Sequence, residues 1–273
     1  MTKFNSWDKG LFSVVGVPGG PTSLESSHWY RRDAPGKNPN SIYSDTDITY
    51  TWNSHGFRSD EFVDDGRDCI IALGCSYTTG LGVPVDHTWP NLLRDKIDPN
   101  MKIYNMSLAA TSGDYIVRAL YKTIEILKPK AVFVLWPGFA SREVAFRKKL
   151  IPFKKSALMS DAKNDGNMLG VFQTVLTDTS FFMYHHAKNK AFAESICTSN
   201  NAKYYDLSLV NEDDIKDGIE KLISNINLEN PSAEDLKLIG YENKFPFARD
   251  KAHFGLEWNN YIADMYYKEY QSK

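Results

Sequence analysis

Residues 70–80 read IIALGCSYTTG, a short β-branched apolar run that stops at a glycine and is followed by adjacent cysteine and serine residues. The run CIIAL (69–73) has the length and composition of a strand buried on both faces. Gly74 lets the chain turn sharply at its end. Three readings of the turn stand at this point. Ser76 is a nucleophile, Cys75 is the reactive atom, or the turn hydroxyls only satisfy backbone donors. The elements on either side decide among them.

Downstream, TWPNLLRDKI (88–97) carries a proline near its start and spaces Trp89, Leu92, Leu93 and Ile97 as one helical face. KIYNM (102–106) reads as a second strand. In DYIVRALYKTIEILK (114–128), Ile116, Val117, Leu120, Ile124 and Leu127 share a helical face, with Asp114 at the positive end of the helix dipole. AVFVLW (131–136), apolar throughout, is a third strand. Strand, helix, strand, helix and strand within about seventy residues mark a parallel sheet with crossover helices.

The remainder is less regular. FFMYHHAKNKAFAESICTSNNAKYYDL (181–207) reads as a long helix leading into a fourth strand near 203–207. The final LEWNNYIADMYYKEY places Trp258, Ile262, Met265 and Tyr266 on one stripe of a packed helix. Residues 1–67 are rich in Gly, Pro, Ser, Asp and Asn and read as an irregular N-terminal extension, with a short strand at DITYTW (47–52). Their Trp and Tyr content argues that the extension is wrapped on the domain that occupies 68–273. Residues 139–200 contain basic runs and a polar loop and are expected to form an insertion or lid. Within them FRKKLIPFKK (146–155) is a solvated face or lid with the charge to attract an anionic glycan.

Composition narrows the function. A net charge of −2 leaves no basic excess to neutralise phosphates, so nucleic acid is not the expected partner. No segment approaches a membrane span, and the N-terminus has no signal-peptide core, which places the expected setting in the cytoplasm unless the protein leaves by lysis or on a particle. Three cysteines, Cys69, Cys75 and Cys197, without CxxC spacing support neither a disulfide framework nor a thiolate metal site. His185 and His186 lie in the long helix without partners four residues away, so packing is expected of them, not metal binding.

Sites on open α/β sheets form beyond the carboxyl ends of the strands, where Ser76 falls. A hydroxyl needs a base to take its proton and a third group to orient that base. FARDKAHFGLEW (247–258) offers both, Asp250 and His253, three residues apart ahead of the last helix. Asp250 could equally cap the chain entering that helix. The turn is not a G-x-S-x-G elbow, because Thr78 stands where the second glycine belongs.

GCSYTTGLGV (74–83) and DKAHFG (250–255) together resemble the blocks of the SGNH/GDSL hydrolase family, a G-D-S-x-T-x-G-like turn after the first strand and a D-x-x-H near the C-terminus. IYNMSLAATSGDY (103–115) is similar to the family's second block, and TWNSHGFRSDEF (51–62) to an N-S-x-G-F-R segment found in bacterial and phage members. The resemblance covers about residues 50–140 and 245–270. It implies a three-layer α/β/α fold with a flavodoxin-like parallel sheet and no cofactor or metal. It also implies a serine esterase or deacetylase acting on a small-molecule or glycan ester. Ser76 would be the nucleophile, His253 its base, Asp250 the orienting acid, and Gly113 a backbone donor to the oxyanion.

Two departures stand out. Cys75 replaces the Asp of GDS, a position that is not the nucleophile. The third block, where an asparagine usually supplies a second oxyanion bond, reads VLWPGFASRE (134–143) and has none. Losing such a donor costs on the order of 100- to 1,000-fold in rate. Arg142 is the first candidate to replace it and Ser141 the second. Asn105 is expected to tie down the loop after the second strand, with a direct role at the site as the alternative. A hydrolytically silent SGNH fold used as a binding or structural module is the alternative function. Arg58 is expected to pin the N-terminal segment to the domain.

Overall fold

The computed structural model describes residues 2–3, 38–44, 48–53, 55–109, 111–137, 141–146, 149–154, 179–209, 239, 243–250 and 253–273. In chain order the strands are β1 (Thr2–Lys3), β2 (Val63–Asp64), β3 (Cys69–Leu73), β4 (Lys102–Asn105), β5 (Ala131–Trp136), β6 (Ser141–Phe146), β7 (Lys149–Lys154) and β8 (Lys203–Ser208). The helices are α1 (Ser76–Thr79), α2 (Trp89–Ile97), α3 (Gly113–Leu127), α4 (Thr179–Ser199) and α5 (Leu256–Ser272).

Four strands form one sheet in the order β4-β3-β5-β8, every pair parallel. Side chains alternate across it as the period of two requires. Ile71, Leu73, Val132, Val134 and Trp136 face one layer, built by α3 and by Ala193, Ile196 and Cys197 of α4. Ile70, Ala72, Ala131, Phe133 and Leu135 face the other, built by Trp89 and Leu93 of α2 and by Trp258, Ile262 and Tyr266 of α5. Both central strands are buried from end to end, which explains why their sequences show no alternation. The chain steps from β3 to β4 in one direction and from β4 back past β3 to β5 in the other. Right-handed crossovers then put α2 and α3 on opposite faces, giving the expected three-layer, flavodoxin-like arrangement.

That reversal is a topological switch point beside the carboxyl end of β3, the place where such sheets hold ligands. The residue that follows the strand and its turn there is Ser76.

The edge of β4 is covered by the segment that precedes the sheet. Ser59 Oγ donates to Ile103 O (3.3 Å) and accepts the amide of Asn105 (3.1 Å), imitating a neighbouring strand. Lys102 Nζ and Tyr104 OH both donate to Val63 O, at 2.7 and 2.9 Å.

One expectation changes. DITYTW is not a strand. Its described residues 48–52 have no ladder partner among the described residues, and Ile48, Tyr50 and Trp52 instead pack beside Leu81, Val83 and Ala109. Within 139–200, where an insertion or lid was expected, β6 and β7 pair antiparallel and the expected long helix, α4, packs in the layer of α3. Residues 155–178 lie outside the described set, as do 1, 4–37 and 210–238. Among the described residues no helix is long and apolar enough to cross a membrane.

Candidate active site

The turn after β3 is shaped by a close approach. A Cβ on Gly74 would collide with the hydroxyl of Thr78, so only glycine fits there. Thr78 is fully buried, and its Oγ1 accepts the indole N–H of Trp89 (3.3 Å). The threonine that breaks the G-x-S-x-G pattern thus fills the space beside the first glycine. α1 begins at Ser76, half-buried, with Cys75 as its N-cap.

The opposite wall comes from the residues ahead of α5. The Phe247–Phe254 bridge is reinforced by Ala248 N–H to His253 O (2.7 Å) and Gly255 N–H to Pro246 O (2.8 Å). Asp250 uses both carboxylate oxygens on one residue. Oδ1 accepts the backbone N–H of His253 (3.0 Å) and Oδ2 accepts ring Nδ1–H (2.5 Å). This fixes the tautomer by the network, leaving Nε2 as the acceptor nitrogen, and Nε2 lies 2.8 Å from Ser76 Oγ. His253 is 7 % exposed, and the Asp250 side chain is almost fully buried. α5 itself has Gly255 as N-cap without a side-chain bond, so Asp250 caps the turn before the helix and not the helix.

Gly82 seats this loop against the serine turn. It has a φ of +83°, and a Cβ there would stand 2.7 Å from Ala248 Cβ and 3.1 Å from Asp250 Oδ1. Tyr77 packs its edge on the His253 ring, with centroids 4.8 Å apart. Burial, with the nearby Cys75 and Asp250 adding to it, pushes the Tyr77 hydroxyl up to about 12, so it stays neutral at pH 7 and does not compete as a base.

Gly113 is the first residue of α3, whose N-cap Ser112 accepts Tyr115 N–H (3.3 Å). The one Thr111 hydroxyl proton is shared between Leu108 O (2.8 Å) and Gly74 O (3.2 Å), which sets the start of α3 beside the serine turn. The amides of Ser76 and Gly113 meet no acceptor among the described residues, as expected for the first N–H groups of two helices.

Among the described residues, the other sequence candidates do not enter this hydrogen-bond chain. Asn105 is 3 % exposed and is consumed by structure. Its Nδ2 donates to Thr78 O (2.9 Å), while its Oδ1 accepts Ser107 N–H (3.1 Å) and Ser107 Oγ–H (2.5 Å). It ties α1 to the loop after β4, so its buried amide is committed there and not to substrate. Ser141 and Arg142 lie in β6, paired with Lys154 and Phe153, and their side chains fall outside the described residues. Cys75 is 7 % exposed and belongs to the core cluster with Trp89 and Phe254, the surroundings of a packing residue. His186 packs edge-on against Trp136. Among the described residues no cluster of His, Cys, Asp or Glu has the makings of a metal site.

Asn38 and Asn189 were not anticipated from the sequence, and Arg58 does more than the pinning expected of it. Arg58, 1 % exposed, donates to Thr79 O (3.2 Å), Gly80 O (2.5 Å) and Val83 O (2.9 Å), and so holds the exit of the serine turn as well as the N-terminal segment. Asn38 Nδ2 donates to Phe247 O (3.1 Å) and Ala248 O (2.9 Å), just ahead of Asp250. Asn189 of α4 stands against Gly113; it is a polar residue on the stripe His186, Asn189, Ala193, Ile196, Cys197, and that interruption is the signal it leaves in the sequence.

The class of molecule is therefore an α/β/α protein with a serine–histidine–aspartate chain at the switch point of its sheet. No protein-family model and no curated protein matches the chain. Solved structures that it resembles include a psychrotrophic esterase, EstA, from Pseudoalteromonas sp., at 15 % identity and a TM-score of 0.42, covering 76 % of this chain and all of that one. A GDSL-like lipase from Bacteroides thetaiotaomicron is similar at 11 % identity and TM-score 0.39, over 76 % of this chain and 89 % of that one. A member of the G-D-S-L lipolytic family from Veillonella parvula is similar at 12 % identity and TM-score 0.39, over 74 % and 96 %.

Proposed function

We propose that this protein is a serine ester hydrolase of the SGNH type, removing an acyl group from a small or carbohydrate-borne ester. The observation that carries the reading is the unbroken chain Ser76 Oγ, His253 Nε2, His253 Nδ1, Asp250 Oδ2, with links of 2.8 and 2.5 Å. Ser76 Oγ attacks the carbonyl carbon as its proton passes to His253 Nε2. The imidazolium is stabilised by Asp250, which stays ionised. The amides of Ser76 and Gly113 receive the oxyanion. Collapse breaks the bond to the alcohol oxygen, which takes the proton from Nε2. Water then gives a proton to His253 Nε2 and its hydroxyl to the acyl carbon; the bond from that carbon to Ser76 Oγ breaks, and Oγ takes the proton back from Nε2 as the acid leaves.

The test is p-nitrophenyl acetate turnover by wild type and Ser76→Ala. A loss on the order of 1,000-fold or more is expected, and a fluorophosphonate adduct should map to Ser76. Equal rates for the two proteins sink the reading, and labelling at Cys75 would replace it with thiol chemistry.

A further inference from the structure

The third block lacks the asparagine that would add an oxyanion donor, so the aim of the two backbone amides, Ser76 and Gly113, carries added weight. Such donors accelerate a reaction only when they are already in place, and a misplacement of about 1 Å costs on the order of 100-fold. What holds Gly113 is a buried polar network from three elements. Asn189, 8 % exposed on α4, places Nδ2 3.2 Å from the position a Cβ on Gly113 would take. That same Nδ2 donates to Asp114 Oδ1 (3.0 Å), in the residue next to Gly113. The second oxygen, Asp114 Oδ2, accepts the backbone amide of Glu143 in β6 (2.9 Å). Glu143 is clamped in turn by Arg118 of α3, at 2.8 and 3.3 Å. Trp136, at the carboxyl end of β5, closes the remaining side 3.4 Å from the Gly113 Cβ position.

Among the described residues Asp114 is the one hydrogen-bond partner of the Asn189 side chain. An amide buried beside Ala193, Ile196 and Cys197 on one stripe of α4, and spent on the first turn of α3, serves that turn.

We infer that Asn189 is a positioning residue: through Asp114, and with the β6–β7 hairpin braced on the other carboxylate oxygen, it sets the direction of the Gly113 amide toward the oxyanion. This rests on the ester-hydrolase reading for its consequence, but not for its geometry. The hairpin, carrying Ser141 and Arg142, then acts on the site through the backbone of Glu143.

The experiment uses the full chain. In Asn189→Ala, kcat for p-nitrophenyl acetate should fall about 10- to 100-fold with KM within threefold of wild type. Affinity for a trifluoromethyl ketone should fall in parallel, and the backbone order parameter of the Gly113 amide, read by 15N relaxation, should drop. Because Asn189 acts through Asp114, Asn189→Ala/Asp114→Ala should be no slower than Asp114→Ala alone. An unchanged Gly113 order parameter, a kcat within twofold of wild type in the active enzyme, or multiplicative losses in the double variant each overturn the inference. Asn189→Ser serves if the alanine variant does not fold. Wild-type turnover no faster than Ser76→Ala defeats the esterase reading alone, and the amide measurement still decides this one.

Discussion

Asp250 binds both the ring and the backbone of the same histidine, which makes it sensitive to the smallest chemical change. In Asp250→Asn the carbonyl oxygen can still take the backbone N–H, but the amide N–H₂ then faces Nδ1. The imidazole must present a lone pair there and carry its proton on Nε2, so it cannot accept from Ser76. Circular dichroism should be unchanged, while kcat falls by about 10⁴-fold. A loss below tenfold would mean that His253 keeps its tautomer without the carboxylate. Ser76, His253 and Asp250 were legible because two of them are neighbours in sequence and the third follows a glycine turn. Asn189 was not. Its task depends on α3 and α4 packing side by side, which no local spacing encodes.

At the scale of elements, the central strands and covering helices could be read to within a residue or two, because burial on two faces writes long apolar runs and helical stripes. The segments around the site could not. Residues 48–53 look β-like, yet Tyr50 and Trp52 are there to pack, with Tyr50 OH accepting Gly82 N–H (2.9 Å) and its ring under the Arg58 guanidinium at 4.2 Å. Arg58 then satisfies three carbonyls with one planar fork, which an ammonium cannot match. Arg58→Ala should cost about 2–3 kcal/mol, which lowers Tm by roughly 5–10 °C, with Arg58→Lys recovering less than half. Thermal unfolding followed by fluorescence checks this, and an unshifted Tm in Arg58→Ala would show that the clamp is idle.

Over the whole molecule, the strongest charge arrangement lies at the sheet end away from the site. Asp65 accepts from Arg67 Nη2 at 2.9 Å and pairs with the buried Lys102 Nζ at 2.7 Å. The Arg67 bond first, then the Lys102 bond, hold its carboxyl well below the ordinary carboxylate range. A carboxyl depressed in the folded state binds fewer protons there than in the unfolded chain. Its contribution is therefore present above the ordinary carboxylate pKa and lost as pH falls toward the folded value. Urea midpoints should decline between pH 5 and pH 3 by less in Asp65→Asn than in wild type, with the variant already weaker at pH 7. Parallel declines would remove Asp65 from the account.

The serine finds its base across 177 residues of chain, and Asn38 reaches the same loop across 210. Contacts that close loops of this size bear the largest entropy of ordering. Ser76 can be present on its turn while still without a base, until α5 and its preceding loop dock. Under the proposed function, its reactivity toward a fluorophosphonate is then a clock. Sampled during refolding, it marks the moment at which the serine turn and the loop before α5 have met, something that helix content alone would not register.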